Sequence, residues 1–98
     1  MKHILEKLSK SEIVEFNPRG NSMTPKIKSG QLVKIKILGE KEKLNLKKGD
    51  IVFCKVKGNF YLHLITSINK DKVQIGNNHG KINGWTDFKN IYAILIEK

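Results

Sequence analysis

Apolar residues follow a helical spacing only near the N-terminus of this chain. Ile4, Leu5 and Leu8 fall on one side of a helix, and charged residues fall on the other side. This pattern predicts a short amphipathic helix within residues 2–10. Beyond residue 12, apolar and polar residues alternate instead, and this alternation predicts β-strands.

Short apolar runs predict a series of β-strands separated by turns. Gly, Asn and Asp occupy the turns, and a tight hairpin turn is predicted at Gly58 and Asn59. The polar segments 39–48 and 76–90 are predicted to be surface loops. The predicted strands cover residues 13–16, 31–38, 51–57, 60–68, 73–75 and 91–96. Short strands and little helix predict an all-β fold, a small barrel or coiled sheet that forms one domain over residues 1–98.

Alternation within residues 60–68 assigns the side chains to the two faces of the predicted strand. One face carries Phe60, Leu62, Leu64 and Ile68, and the other carries Tyr61, His63, Ile65 and Ser67. The last run, residues 91–96, is continuously apolar. It predicts a strand buried on both faces.

The chain is strongly basic, with 19 Lys and Arg residues against 9 Asp and Glu residues and a formal net charge of +10. Arg19 is the only arginine. Reading of DNA bases depends heavily on the two-pronged arginine side chain, so this composition disfavours sequence-specific DNA recognition. Non-specific binding of nucleic-acid phosphates stays open.

Composition also bears on the compartment and on cofactors. Cys54 is the only cysteine, so it forms no internal disulfide and is expected to be a small buried apolar residue. No apolar run reaches the roughly 18 residues of a membrane span, and residues 1–8 lack the apolar core of a secretion signal. We therefore expect a cytoplasmic protein without a membrane partner. His3, His79 and Cys54 form no zinc pattern, and neither a metal nor a cofactor is expected.

Ser22 and His63 are the candidate reactive residues. Ser22 lies between Gly20 and Pro25 in a segment too irregular for a helix or strand, and Gly20 would permit a sharp bend that exposes the hydroxyl. A neutral His63 within hydrogen-bonding reach would remove the serine proton during attack. The alternatives are a serine that caps a turn and a core histidine with locally satisfied nitrogens.

Residues 19–25 resemble the nucleophile motif of the serine peptidases that include LexA-type repressors and signal peptidases. Gly30 and Gln31 stand where that family has Gly-Asp, and residues 48–52 resemble its second Gly-Asp-Ile-Val segment. His63 falls where the family places its general base. That base is Lys in LexA-type and bacterial enzymes and His in the endoplasmic-reticulum and archaeal signal peptidases. The resemblance covers about residues 16–96 and implies the family's all-β fold.

The same resemblance indicates which residues surround the Ser22 and His63 pair. Asn77 and Asn83 stand at two positions that are acidic in the His-type signal peptidases, so no carboxylate at these positions would orient His63. Asp87 lies nearby in sequence as a substitute. The backbone N–H of Ser22 is the first expected oxyanion donor, with Asn21 as a second candidate.

Three functions are compatible with these residues. The leading hypothesis is a soluble serine peptidase-like hydrolase that acts on another peptide or protein through Ser22 and His63. The second is a catalytically inactive interaction module, of a type that suits a phage or mobile element, which binds a protein or nucleoprotein partner. The third is a non-specific nucleic-acid binder. Self-cleavage of a repressor is disfavoured because only 21 residues precede Ser22 and no helix-turn-helix fits.

Overall fold

The computed structural model describes residues 2–98, and these residues form seven strands and two short α-helices. The helices are α1 (Lys2–Leu8) and α2 (Glu40–Lys43), and a 3-10 turn covers Phe88–Asn90. The strands are β1 (Ile13–Phe16), β2 (Val33–Ile37), β3 (Ile51–Val56), β4 (Asn59–Asn69), β5 (Lys72–Gly76), β6 (Ile82–Asp87) and β7 (Ile91–Glu97). The predicted all-β class is confirmed.

All seven strands belong to one antiparallel sheet, in the order β1-β2-β7-β3-β4-β5-β6. The sheet coils so that β6 returns to the side of β3. There the Thr86 hydroxyl donates a 2.8 Å hydrogen bond to the Lys55 carbonyl. The predicted coiled sheet is therefore present, and β3 to β6 curl into a small half-barrel.

Two apolar clusters fill the opposite faces of the sheet because alternate side chains of each strand point in opposite directions. In β3, Phe53 enters one cluster, whereas Val52 and Cys54 enter the other. The first cluster lies on the side of α1 and contains Ile4, Leu8, Val14, Met23, Ile27, Val33, Ile35, Phe53, Leu62 and Ala93. The second contains Leu46, Val52, Cys54, Val56, Ile65, Val73, Ile75 and Ile91. Cys54 is fully buried, as expected.

The predicted N-terminal helix is confirmed and ends at Leu8. Its apolar residues Ile4 and Leu8 are 0% and 3% exposed and pack in the first cluster. Burial of two such side chains contributes roughly 3–6 kcal/mol to helix docking. Among the helices of residues 2–98, none combines the length and apolar character that crossing a membrane requires.

Two segments predicted as loops contain regular structure. The segment 76–90 includes strand β6, which forms an edge of the sheet. Ile82 and Trp85 on this strand are 47% and 44% exposed, so β6 does not show the apolar alternation of a half-buried strand. The segment 39–48 includes the single turn α2, which buries none of its own residues.

The predicted β3–β4 turn is displaced by one residue. Lys57 and Gly58 form it, with φ angles of 50° and 84°, and Asn59 already pairs with Val56. Two consecutive positive φ angles match the right-handed twist of a hairpin. Here Lys57 adopts the conformation that the sequence pattern assigned to Asn59.

A β-bulge in β4 contradicts part of the predicted assignment of side chains to the two faces of the strand. The register with β5 skips Thr66, so Ile68 pairs with Val73 and takes the face of the second cluster rather than that of Leu62. One extra residue inverts the alternation beyond it. The prediction for β7 is also corrected, because Ile96 near its C-terminal end is 47% exposed.

Candidate active site

Ser22 lies in the long connection between β1 and β2, and hydrogen bonds across its base hold this connection closed. The Gly30 N–H donates to the Pro18 carbonyl at 2.7 Å, and the Asn17 side-chain amide donates to the Gly30 carbonyl at 2.9 Å. The Gly20 N–H donates to the Ser29 hydroxyl at 3.0 Å. These contacts give the loop a defined path without regular secondary structure.

Two apolar anchors fasten the same loop to the first cluster. Met23 and Ile27 are 5% and 3% exposed, whereas Ser22 between the anchors and the loop base is half-buried. Gly20 has a φ of 102°, a conformation that side chains disfavour, which agrees with the sharp bend expected there. Met23 thus lies in the first cluster, whereas its neighbour Ser22 is only half-buried.

The hydroxyl of Ser22 and the imidazole of His63 meet. The Ser22 Oγ lies 3.0 Å from His63 Nε2, within hydrogen-bonding distance. His63 comes from the middle of β4, is 8% exposed, and stacks on the Tyr61 ring at 4.8 Å between centroids. The separation allows direct proton transfer from the hydroxyl to the ring.

Asn83 holds the other side of the imidazole. The Asn83 Oδ1 lies 2.7 Å from His63 Nδ1. Because an amide oxygen only accepts, Nδ1 carries the proton and Nε2 presents a lone pair to Ser22. The register between β5 and β6 skips Asn83, because Gly76 pairs with Ile82 and Ile75 with Gly84. This bulge places the Asn83 side chain toward His63.

The surroundings of His63 favour its neutral form. Burial lowers the pKa of His63 below its ordinary value near 6.5, and the nearby Lys81 charge lowers it further. The Asn83 hydrogen bond raises this pKa but does not outweigh burial. A neutral imidazole with a free Nε2 lone pair is the form that accepts a proton from serine.

The β5–β6 turn clamps the Ser22 loop from the side opposite the loop base. The Asn78 backbone N–H donates to the Ser22 carbonyl at 2.9 Å, and the Asn78 side-chain amide donates to the Thr24 carbonyl at 2.9 Å. His79 Nε2 donates to the Asn21 carbonyl at 2.9 Å and lies 3.0 Å from the Thr24 hydroxyl. Asn78 and His79 thus fix the backbone on both sides of Ser22.

Asn77 shapes that turn. Its side-chain oxygen accepts hydrogen bonds from the backbone N–H groups of His79 and Lys81, at 2.8 and 3.0 Å. Its own backbone N–H donates to the Lys81 carbonyl at 2.9 Å. Asn77 therefore supports the clamp and does not contact His63 through these bonds.

The comparison with protein-family models decides the family. Residues 7–81 match the family described as Peptidase S24-like, a span that covers most of the chain and includes both Ser22 and His63. The chain belongs to the Peptidase S24-like family. The resemblance to the LexA and signal-peptidase group is thereby confirmed, although Asn83 lies beyond the matched span. A search of curated proteins found no match.

The remaining predicted site residues of this S24-like chain are Asp87 and Asn21, and each has other partners. Asp87 does not replace the missing carboxylate, because it pairs with Lys72 while Asn83 occupies His63 Nδ1. Asn21 is exposed and contributes its carbonyl to the His79 clamp. Sequence patterns assigned no role in this site to Asn78, His79 or the stacking residue Tyr61, although all three lie within the residues 16–96 that resembled the family.

The site opens into a cleft of about 850 Å³. Residues of α1, β1, the Ser22 loop, β4 and the β5–β6 turn line it, and Ser22 and His63 are both among them. A volume of this size lies in the range of ligand-binding clefts. Within residues 2–98, no group of three or more His, Cys, Asp or Glu side chains is arranged to hold a metal ion.

Proposed function

We propose that this S24-like protein is a serine hydrolase that cleaves peptide bonds in other chains, with Ser22 as nucleophile and His63 as general base. One observation carries the proposal: Ser22 Oγ lies 3.0 Å from His63 Nε2 while Asn83 accepts from His63 Nδ1. Nucleophile, base and a residue that orients the base are the three parts of a serine triad. Here the orienting residue is a neutral amide.

In the first step, Ser22 Oγ forms a bond to the substrate carbonyl carbon, and its proton moves to His63 Nε2. The carbonyl π electrons move onto oxygen and form a tetrahedral oxyanion. Collapse of this species restores the C=O bond and breaks the C–N bond. The proton on Nε2 passes to the leaving amine, and the acyl group stays on Ser22.

In the second step, a water molecule repeats the sequence on the acyl ester. His63 Nε2 takes a proton from water as the water oxygen attacks the ester carbon. Collapse expels Ser22 Oγ, which recovers its proton from Nε2. The substrate leaves as a carboxylic acid and the enzyme returns to its starting state.

Backbone N–H groups at the nucleophile support the developing oxyanion. Among the hydrogen bonds within residues 2–98, none uses the N–H of Ser22 or of Asn21 as a donor, whereas the N–H of Gly20 is taken by Ser29. Donors held rigidly and still unpaired are those that stabilise negative charge on an incoming oxygen. The clamp by Asn78 and His79 supplies that rigidity.

Cleavage of another chain is favoured because the segment before Ser22 is itself folded. Ile4 and Leu8 in α1 and Val14 in β1 are buried in the first cluster. The peptide bonds of these elements are committed to helix and sheet. The cleft next to Ser22 is therefore available to a substrate from outside.

A fluorophosphonate probe tests the proposal, since it forms a stable bond with an activated serine. We expect labelling of the unmodified chain, no labelling of Ser22→Ala, and labelling at least about 100-fold slower in His63→Ala. Ser67→Ala is the matched control, because Ser67 is a half-buried serine outside the cleft lining. It should label at the unmodified rate.

Absence of labelling between about pH 6 and pH 9 in a correctly folded chain would contradict the proposal, because His63 is neutral over much of that range. Capture of a protein partner that persists in Ser22→Ala and His63→Ala would then favour the inactive interaction module.

A further inference from the structure

Three cationic side chains line the cleft. Lys7 from α1, Arg19 from the Ser22 loop and Lys81 from the β5–β6 turn all line it, and Glu15 is the single carboxylate in the lining. Among residues 2–98, none of these three cations takes part in an ion pair. The cations come from three separate elements, α1, the Ser22 loop and the β5–β6 turn.

Part of the lining of the same cleft is apolar. Met23, Ile27 and Leu62 are at most 5% exposed, and they form part of its lining. Phe16 and Phe60 are partly buried and also belong to this apolar part of the lining, as do Ile4, Pro18 and Tyr61. Apolar side chains and cations in one cleft match a ligand that combines an apolar side chain with negative charges.

We propose that the cleft selects an extended peptide segment in which a large apolar residue is flanked by Asp or Glu residues. This inference rests on the proposed function, since it names the substrate class of the same site. The apolar side chain displaces water from the apolar part of the lining, and the flanking carboxylates meet Lys7, Arg19 and Lys81. The net charge of +10 steers such acidic segments toward the protein.

Lys81 connects this selection to the reactive pair. Its positive charge is one of the causes that lower the pKa of His63. A substrate carboxylate beside Lys81 would offset that charge, and His63 would become a better proton acceptor as the substrate binds. Binding of an acidic segment therefore favours the proton transfer that Ser22 requires.

Fluorescence anisotropy with the Ser22→Ala chain tests the selection without hydrolysis. Three labelled peptides share a central Leu and differ only in flanking residues, which are Glu, Gln or Lys. We expect the Glu peptide to bind about tenfold more tightly than the Gln peptide at low salt, and this advantage to shrink as salt rises. The Lys peptide should bind most weakly.

Lysine variants then test whether the preference for the Glu peptide arises in the cleft. Lys7→Gln and Lys81→Gln should each weaken binding of the Glu peptide about threefold and leave the Gln peptide unchanged. Lys48→Gln is the matched control, because Lys48 is an exposed lysine outside the cleft lining, and it should change neither.

Equal affinities for the Glu and Gln peptides would overturn the inference, as would losses in Lys48→Gln equal to those in Lys81→Gln. Tighter binding of a duplex oligonucleotide than of the Glu peptide, with the same dependence on Lys81, would also overturn it. The proposed function fails separately. Binding of the Glu peptide without fluorophosphonate labelling would contradict the hydrolase alone, whereas labelling without charge discrimination would contradict the selection alone.

Discussion

His63 Nδ1 lies 2.7 Å from the side-chain oxygen of Asn83, so a neutral amide orients the imidazole that faces Ser22. An amide fixes the tautomer of the ring as a carboxylate would, because both accept the Nδ1 proton. It lacks the negative charge that stabilises the protonated ring. The pair is therefore positioned for proton transfer, but the protonated imidazole is stabilised less than it would be beside an acidic partner.

Replacing Asn83 with Asp should add that charge. Because a carboxylate favours the charged imidazole, Asn83→Asp should raise the pKa of His63 and move the acid limb of the pH–labelling profile to higher pH. Above that limb the fluorophosphonate labelling rate should rise about tenfold, since a charged partner roughly doubles the strength of the hydrogen bond. The pH dependence of labelling measures both effects.

The control for this prediction removes the hydrogen bond and keeps the size. Asn83→Leu should slow labelling about tenfold, because the ring loses its orienting partner. A profile that is identical in the Asn, Asp and Leu forms would show that Asn83 does not position His63.

Removal of the clamp should impair Ser22 without unfolding the sheet. His79→Ala and Asn78→Ala each lose hydrogen bonds worth about 0.5–1.5 kcal/mol to the flanks of Ser22, so each should slow labelling up to about tenfold. Labelling rates at unchanged circular dichroism provide the measurement. Asn45→Ala, at an exposed asparagine, should label at the unmodified rate. Clamp variants that match it would exclude a role for the β5–β6 turn.

Acid should destabilise the fold through His63. Its pKa in the folded chain lies below the ordinary value near 6.5, so the unfolded chain binds the proton first as the pH falls. The free energy of unfolding should therefore decline below about pH 6.5 until the folded pKa is reached, and be unaffected by this group above it. Urea unfolding at several pH values should show a shallower decline in His63→Gln than in the unmodified chain.

Cys54 should be unreactive in the folded chain. Burial raises the pKa of its thiol from 9.0 to about 12, which reduces the thiolate fraction at neutral pH roughly a thousandfold. Reaction with Ellman's reagent should thus be at least about a thousandfold slower in buffer than in urea. Cys54→Ala supplies the blank, and fast reaction in buffer would contradict the burial of Cys54 beside Val52.

The all-β fold and the Ser22–His63 contact were both predictable, but for different reasons. Period-two alternation in β2 and β4 records burial of one face, so strands with a buried face are visible in sequence. The contact depended on a motif around Ser22 that resembled a known family. Spacing alone did not bring the two residues together.

Bulges explain much of what the sequence did not show. Asn83 reaches His63 because β6 contains one residue more than its partner strand at that point, and Ile68 changes face for the same reason in β4. A bulge depends on the register between two strands, which alternation within one strand does not encode. The contacts of His79 are likewise tertiary, since its partners Asn21 and Thr24 lie far from it in sequence.

The β5–β6 turn, which ties residue 78 to the carbonyl of Ser22, also dictates when the site can exist. During synthesis Ser22 leaves the ribosome long before His63, and His63 before residues 77–83. Until the β5–β6 hairpin forms, the nascent chain has only an unactivated serine hydroxyl at this position. The proposed reactivity therefore requires the β5–β6 hairpin to be in place.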